Sequence, residues 1–325
     1  MTLKSRLRKY TTKSDAFEHI WLVLQWIKTN YNVRKYSDYD YSLKLWKEQE
    51  GVLPNLVSPT TFNEKLWYLK LSNRDSLLTK CSDKHAVREY IEQCGYGDCL
   101  KKEYAFFHNA DEIDFDKLPS PSYLKCNHAS GMNLIYRKED KLNLKHIRWK
   151  FNFLLKQNPY YLSREWNYKD IKPGIVCEEL LSMPNGEDIP ELQFFCFDGV
   201  PKFIMYNLGL ADESGRHKRA TRWVFDMDWN VIPVETSMPT NENIPEKPKT
   251  YERMVEMATA LSKPFPHVRV DLFCMDERIL FNELTFYSGG GFVKLKPDFW
   301  QKVFGDMIDC SRFSIAQDVY AKKRP

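Results

Sequence analysis

Val268-Arg269-Val270-Asp271-Leu272 and Phe281-Asn282-Glu283-Leu284-Thr285 read as facing arms of one β-hairpin, within strands spanning about 267–273 and 279–285. Side chains two apart on a strand share a face. Arg269 and Asp271 therefore point the same way, as do Glu283 and Thr285 on the partner arm. Two carboxylates set across a hairpin repel unless a cation lies between them. Carboxylate and hydroxyl oxygens are ligands for hard cations, and a magnesium–phosphate group resolves the conflict. Arg269 beside it has the fork geometry to hold a phosphoryl oxygen. The plainer alternative is an exposed sheet face with its acids paired to Arg269 and Arg278.

Working outward, the chain is stranded after Pro173 and helical before it. Leu192–Phe197 and Pro201–Tyr206 flank Asp198-Gly199, a strong hairpin turn. Trp223–Phe225 and Val231–Val234 flank another. A Pro-rich loop over 237–250 precedes a helix predicted for Tyr251–Ser262. Upstream, Leu144, Ile147, Phe151, Leu154 and Leu155 mark one face of a helix over 141–157, and Tyr123–Cys126 reads as a strand. Thr61-Phe62-Asn63-Glu64 spells a capping box ahead of a short helix, and Ser82 reads as the cap of the next, which stops at Gly95. Phe17, Ile20, Trp21, Leu24 and Ile27 recur at helical spacing near the start. Helices followed by an antiparallel sheet make an α+β chain.

The 325 residues are more than one compact core needs. A net charge of +4 is too mild to argue for nucleic acid and fits local anion pockets. The eight cysteines form no Cys-x-x-Cys pair, so a reducing cytoplasm is the simpler setting and no zinc ribbon is expected. No apolar run approaches the ~20 residues of a membrane span. The basic first ten residues and the aromatic helix after them suit either an anionic membrane surface or packing on the protein itself, the second being the simpler expectation.

Five further segments carry chemistry. Lys125-Cys126-Asn127-His128-Ala129-Ser130-Gly131-Met132-Asn133 puts a lysine at a strand end before a small-residue turn whose backbone N–H groups, at Ser130 and Gly131, can face phosphate; His128 suits either a loop anchor or a substrate ligand. Gly174-Ile175-Val176-Cys177-Glu178-Glu179-Leu180-Leu181 reads as a strand that either runs into a hinge whose backbone can meet an adenine edge or, on the plainer account, simply ends in a solvated Glu pair. Gly215-Arg216-His217-Lys218-Arg219-Ala220-Thr221-Arg222 is a basic loop, solvated or closing over an anion through Lys218 or Arg219. Between them, Tyr160-Tyr161-Leu162-Ser163-Arg164-Glu165-Trp166-Asn167-Tyr168 offers aromatic faces and an arginine, with Arg164 and Tyr168 as candidates for holding an acceptor carboxylate, against the plainer account of a junction burying its aromatics. Ser288 and Gly289, at the head of Ser288-Gly289-Gly290-Gly291, can bring backbone amides to a reacting carboxylate.

Taken in order, Ser82-Asp83-Lys84, Leu124-Lys125, Glu178-Glu179-Leu180-Leu181, Arg269-Val270-Asp271 and Glu283-Leu284-Thr285 resemble an ATP-grasp enzyme. Thr61-Phe62-Asn63-Glu64-Lys65-Leu66, Leu124-Lys125-Cys126-Asn127-His128, Phe194-Phe195-Cys196-Phe197-Asp198-Gly199, Phe265-Pro266-His267-Val268-Arg269-Val270-Asp271-Leu272 and Gly289-Gly290-Gly291-Phe292 narrow the resemblance to the TupA-like ATP-grasp group, over about residues 59–297. The resemblance implies ATP sandwiched between two α+β lobes, an acyl-phosphate intermediate, and ADP release when an amine or similar nucleophile attacks. It implies a helical extension at 1–58, a pre-ATP-grasp segment and the start of the small lobe at 59–120, the small lobe at 121–177 and the large lobe at 178–325. Such members occur in bacterial cell-surface polysaccharide pathways, joining amino compounds to carboxylates, often of uronic acids.

Carried over by residue, the resemblance gives Lys84 and Lys125 to the phosphates and Glu178, Glu179 and Leu181 to the adenine hinge. Glu191 goes to the ribose hydroxyls, Asp271, Glu283 and Thr285 to magnesium, and Arg269 to the transferred phosphoryl group. Thr285 stands where many such enzymes have Asn, and Ala129 and Met132 interrupt a loop that is richer in glycine elsewhere. The expected substrates are ATP with Mg2+, a sugar acid and an amine. The rivals are a glycosyltransferase using Asp226-Met227-Asp228 and a sugar kinase.

Overall fold

The structure, a computed structural model, describes residues 14–129, 133–183, 185–210 and 220–322. In chain order come helices α1 (Asp15–Lys35), α2 (Asp38–Glu50), α3 (Phe62–Ser72), α4 (Ser76–Ser82) and α5 (Val87–Gln93), then strands β1 (Glu103–Phe107), β2 (Ser122–Cys126) and β3 (Asn133–Tyr136). Helices α6 (Leu144–Leu155) and α7 (Tyr160–Ser163) lead into β4 (Ile175–Glu179), β5 (Glu191–Phe197), β6 (Val200–Leu208) and β7 (Thr221–Asp226). Helix α8 (Tyr251–Ser262), strands β8 (His267–Met275) and β9 (Arg278–Thr285), and helix α9 (Phe299–Gly305) complete the set.

Two antiparallel sheets result, one ordered β1-β4-β2-β3 and the other β7-β6-β5-β8-β9. The β5–β6 turn is Asp198-Gly199, with φ of 46° and 80°. Both values lie in the left-handed region that a two-residue hairpin matching strand twist demands, and Asp-Gly tolerates it. The smaller sheet buries Leu124, Cys126, Ile175 and Cys177 against Ile147, Phe151 and Leu154 of α6.

The larger sheet has two differently used faces. Val268, Val270 and Leu272 belong to the core that takes in Met254, Met257 and Leu261 of α8, which packs on β5, β6 and β8. On the other face the strands change character along their length. Phe195, Phe197 and His267 close around Phe62, which is fully buried and also meets Phe304. Burying such a ring contributes ~1.5–3 kcal/mol. Farther along, the same face carries Arg269, Asp271, Glu283 and Thr285. The apolar end fixes α3 to the sheet and leaves the polar end facing the smaller sheet.

Helices α3 to α5 therefore pack with the larger sheet, while β1, from the same 59–120 segment, joins the smaller one. The capping box forms as expected: Thr61 Oγ1 accepts from the Glu64 amide at 3.2 Å, and Glu64 accepts from the Thr61 amide at 3.1 Å. Ser82 is not a cap. Asp75 caps α4 and Ser82 ends that helix, where its hydroxyl accepts from Asn167 Nδ2 at 2.8 Å.

Helix α1 packs on the protein through an unexpected face. Glu18 pairs with Lys150 and His146, His19 stacks on Trp149, and Leu22 joins the smaller lobe's core. Phe17, Ile20, Leu24 and Ile27, the stripe read from spacing, are each more than half exposed. No helix among the described residues is long and apolar enough to cross a membrane.

Candidate active site

The β8–β9 register places Arg269 opposite Thr285 and Asp271 opposite Glu283, so four polar side chains share one face. Arg269 donates from Nε to Asp271 Oδ1 at 2.7 Å and from Nη2 to Asp271 Oδ2 at 2.5 Å. The same Nη2 reaches Thr285 Oγ1 at 3.1 Å and Glu283 Oε1 at 3.4 Å, and the Thr285 hydroxyl donates to Glu283 Oε1 at 2.8 Å. Burial opposes a charge on Arg269, yet Asp271 and Glu283 raise its pKa above the ordinary value and hold it protonated. Sequence reasoning put these groups together and, in its plainer alternative, paired the acids with Arg269. That pairing forms, but Asp271 is buried and not on an exposed face.

Just past Asp271 the register slips, and Asn282 becomes the extra residue of a bulge. Bulges re-aim side chains, and here Asn282 donates to Glu191 Oε1 at 2.8 Å while its own oxygen accepts from Lys101 at 3.3 Å. Lys101 also reaches Glu178 Oε1 at 3.1 Å, and Lys125 reaches the same oxygen at 2.6 Å. Lys84, Lys101, Lys125, Glu178, Phe281 and Asn282 line a pocket between the sheets. Burial, with Lys101 and Lys84 nearby, pushes Lys125 down to about 7. Burial works against the charge on Glu178, but Lys101 and Lys125 hold its carboxylate down at about 2. Lys84 and Lys125 also act on Glu283 across the cleft. A wall of amines thus faces a wall of carboxylates. That suits a polyanion carrying a hard cation, each wall meeting the opposite charge.

A family model described as TupA-like ATPgrasp matches residues 64–309. The chain belongs to the TupA-like ATP-grasp family. Among solved structures it is similar to the D-alanine–D-alanine ligase of Helicobacter pylori, at 13% identity and a TM-score of 0.40, covering 77% of this chain and 67% of that one. It is also similar to the ATP-complexed D-alanine–D-alanine ligase of Bacillus anthracis (18%, 0.35, 64% and 54%) and the L-amino acid ligase of Bacillus licheniformis (16%, 0.37, 75% and 48%). The chain spans about half the length of these two Bacillus ligases. No curated protein matches it.

In this TupA-like ATP-grasp chain the expected site residues sort into three groups. Lys84, Lys125 and Glu178 line the pocket between the sheets, Arg269, Asp271, Glu283 and Thr285 share one face of the larger sheet, and Glu191 meets the pocket through Asn282. Tyr168 joins them, its hydroxyl raised above its ordinary pKa by burial and by Glu165 and Glu283. Glu179 sits at the hinge but is engaged, accepting from the Lys102 amide at 2.8 Å and pairing with Arg278 at 3.2 Å. Leu181 packs beside Ile189, Phe273 and Leu280, in the connection from the smaller sheet to the larger.

Ser130, Gly131 and Lys218 lie outside the described residues. Two expected acceptor ligands turn elsewhere. Arg164 is 1% exposed, set 2.8 Å from Asp38 and 4.2 Å over the Tyr41 ring, so an acceptor carboxylate has no path to it. His128, also 1% exposed, contacts the Gln157 carbonyl at 3.1 Å and anchors its turn to the end of α6. Ser288 is buried as well, at the head of the glycine turn. There Gly289, Gly290 and Gly291 all have positive φ, and a Cβ on Gly291 would stand 2.7 Å from Trp67 Nε1.

Sequence reasoning missed Lys101, Asn282, Arg222, Lys70 and Glu165. Arg222, from the basic run, donates to Asn207 at 2.6 Å, and burial with Arg269 nearby pushes it down to about 10. Only the slipped register signals Asn282, and no spacing shows that. The Asp-x-Asp is a turn: Asp226 accepts from the amides of Asp228 at 3.0 Å and Asn230 at 2.8 Å, so the diphosphate-binding alternative loses its ligand.

Proposed function

We propose that the chain is an ATP-dependent carboxylate–amine ligase that forms ADP through an acyl phosphate. The observation that supports this most is the opposition of Lys84, Lys101 and Lys125 to Arg269, Asp271 and Glu283 across one cleft. In this reading Lys84 and Lys125 bind ATP phosphates, the hinge at Glu178–Leu181 borders the adenine, and Glu191 with Asn282 meets the ribose. Asp271, Glu283 and Thr285 fit magnesium, two carboxylates and a hydroxyl being hard oxygen donors that leave positions for phosphate oxygens. When bound, the ion supplies charge neutralisation at the phosphates.

Arg269 is already fixed on its carboxylates, so its remaining donor capacity is preorganised toward an incoming phosphoryl oxygen. A carboxylate does not condense with an amine in water because its oxygen is a poor leaving group. Phosphorylation cures that, and the cleft between the sheets keeps water from the acyl phosphate.

In keeping with the family resemblance, we assign the reaction to cytoplasmic steps of bacterial cell-surface polysaccharide or capsule synthesis, with a sugar acid as carboxylate. A peripheral seat on the inner membrane goes with this, since exposed Ile20, Leu24, Ile27 and Tyr31 of α1 lie alongside exposed Lys28, Arg34 and Lys35. The full chain is then expected to float with phosphatidylglycerol vesicles and not with phosphatidylcholine ones; equal recovery with both counts against the seat.

The deciding experiment screens uronic acids, free and nucleotide-linked, against amino acids for ADP release, with mass spectrometry of the product. ADP that requires both partners, with an amide product, supports the ligase. ADP with a phosphorylated sugar and no need of an amine makes the protein a kinase. Lys125→Ala is expected to weaken ATP binding roughly 10- to 100-fold, as one charge-assisted contact is lost. Calorimetric titration reads this, and unchanged affinity removes Lys125 from the nucleotide site.

A further inference from the structure

Arg164 and Glu165 are neighbours whose side chains part company. Arg164 ends α7 with φ of 60°, a left-handed turn that carries its guanidinium back to Asp38. Glu165, next in line, is delivered to the cleft. A Cβ on Gly290 would lie 3.9 Å from Glu165 Oε1, so the acid abuts the glycine turn that follows the Glu283–Thr285 strand. Glu283 acts electrostatically on Glu165, and both act on Tyr168.

Glu165 has no counter-charge at contact distance. Among the described residues no lysine, arginine or histidine nitrogen stands within 4.0 Å of its carboxylate. Lys70 is the cation closest in effect, and its amine is committed elsewhere. It donates to Gly290 O at 2.5 Å and Ser163 O at 3.3 Å and lies 3.8 Å over the Trp67 ring. Lys70 therefore lashes the glycine turn to the 163–165 segment and fixes Glu165 in place without neutralising it. Glu165 is half-buried, and a carboxylate deprived of much of its water is costly unless something cationic joins it. Burial accordingly raises its pKa.

We propose that Glu165 receives the ammonium group of the amine co-substrate, with Tyr168 as the neighbouring wall and the Gly289–Gly291 turn as floor. The proposal rests on the ligase reading and deepens it. The ligand at this end of the cleft is a cation, where the aromatic segment read as sequence had suggested that an arginine meets a carboxylate. The position is apt, because the glycine turn follows directly on the strand whose acids face the phosphate wall. An ammonium held by Glu165 thus stands beside the carbon to be attacked; as the C–N bond forms and the C–O bond to phosphate breaks, the two protons that the nitrogen sheds leave with the departing phosphate. A cationic substrate also completes the charge balance of the pocket, whereas an anionic one meets repulsion from both Glu165 and Glu283.

The test compares the full-length wild type with Glu165→Gln and Glu165→Asp, using Mg-ATP and D-glucuronate or another acid active in the ADP screen. Two kinds of nucleophile are supplied: hydroxylamine, uncharged at neutral pH, and the standard amino acids, which present an ammonium. Glu165→Gln is expected to raise the KM for the amino acid roughly 10- to 100-fold while its hydroxamate rate falls by a much smaller factor. Glu165→Asp should fall between. Equal losses with both nucleophiles, or an unchanged KM for the amino acid, overturn the assignment of Glu165. A wild type that makes no hydroxamate from any acid instead sinks the ligase reading, and this proposal with it.

Discussion

Glu283→Ala should reduce ADP formation at least ~1000-fold while leaving a folded protein. The Glu283 side chain is 43% exposed, so truncating it opens no cavity in the core. It also leaves the two short Arg269–Asp271 hydrogen bonds in place. What it removes is one of the two carboxylates that face each other across β8 and β9. A coupled ADP assay reads the activity, and circular dichroism with a thermal scan reads the fold. Near-normal turnover in a folded variant would refute the assignment of Glu283 to the metal.

Arg269→Met should destabilise the protein by about 3–5 kcal/mol, the cost of stranding a buried charge whose partner is gone. Asp271 is 1% exposed and relies on Arg269 for two hydrogen bonds. Urea denaturation measures the loss. Adding Asp271→Leu to that variant should restore much of the stability, because a buried pair replaced by apolar side chains is often neutral. Activity should stay absent. A single variant as stable as the wild type shows that water or a rearranged side chain already satisfies Asp271. A double variant that turns over removes both residues from the chemistry.

The parts legible in the sequence are those written locally. Asp198-Gly199 needs only its own backbone to make a turn, and Thr61 with Glu64 caps a helix whatever surrounds it. Tyr251–Ser262 was bounded correctly because its apolar spacing and Pro264 are both short-range signals. The sharing of a face by Arg269, Asp271, Glu283 and Thr285 also follows from strand period alone. What failed depends on tertiary partners. Arg164 and Glu165 differ by one position, and a single left-handed residue decides which meets the cleft. The bulge at Asn282 shifts the register only where β8 and β9 actually pair. The Ile20–Leu24–Ile27 stripe has the spacing of a buried face, yet the ion pairs of Glu18 and the His19–Trp149 stack turn α1 the other way.

That orientation gives α1 a mechanical part. The first turns of this 21-residue helix are tied to α6, beneath the smaller sheet, and the helix also meets α7, whose segment is bound to α3 and α4 beside the larger one. A helix of that length is a rod of about 30 Å. The two halves of the nucleotide clamp are thus spanned by a strut outside the 64–309 region that defines the family. Any movement of the two sheets apart therefore has to unfasten one end of that strut or swing about it as an axle.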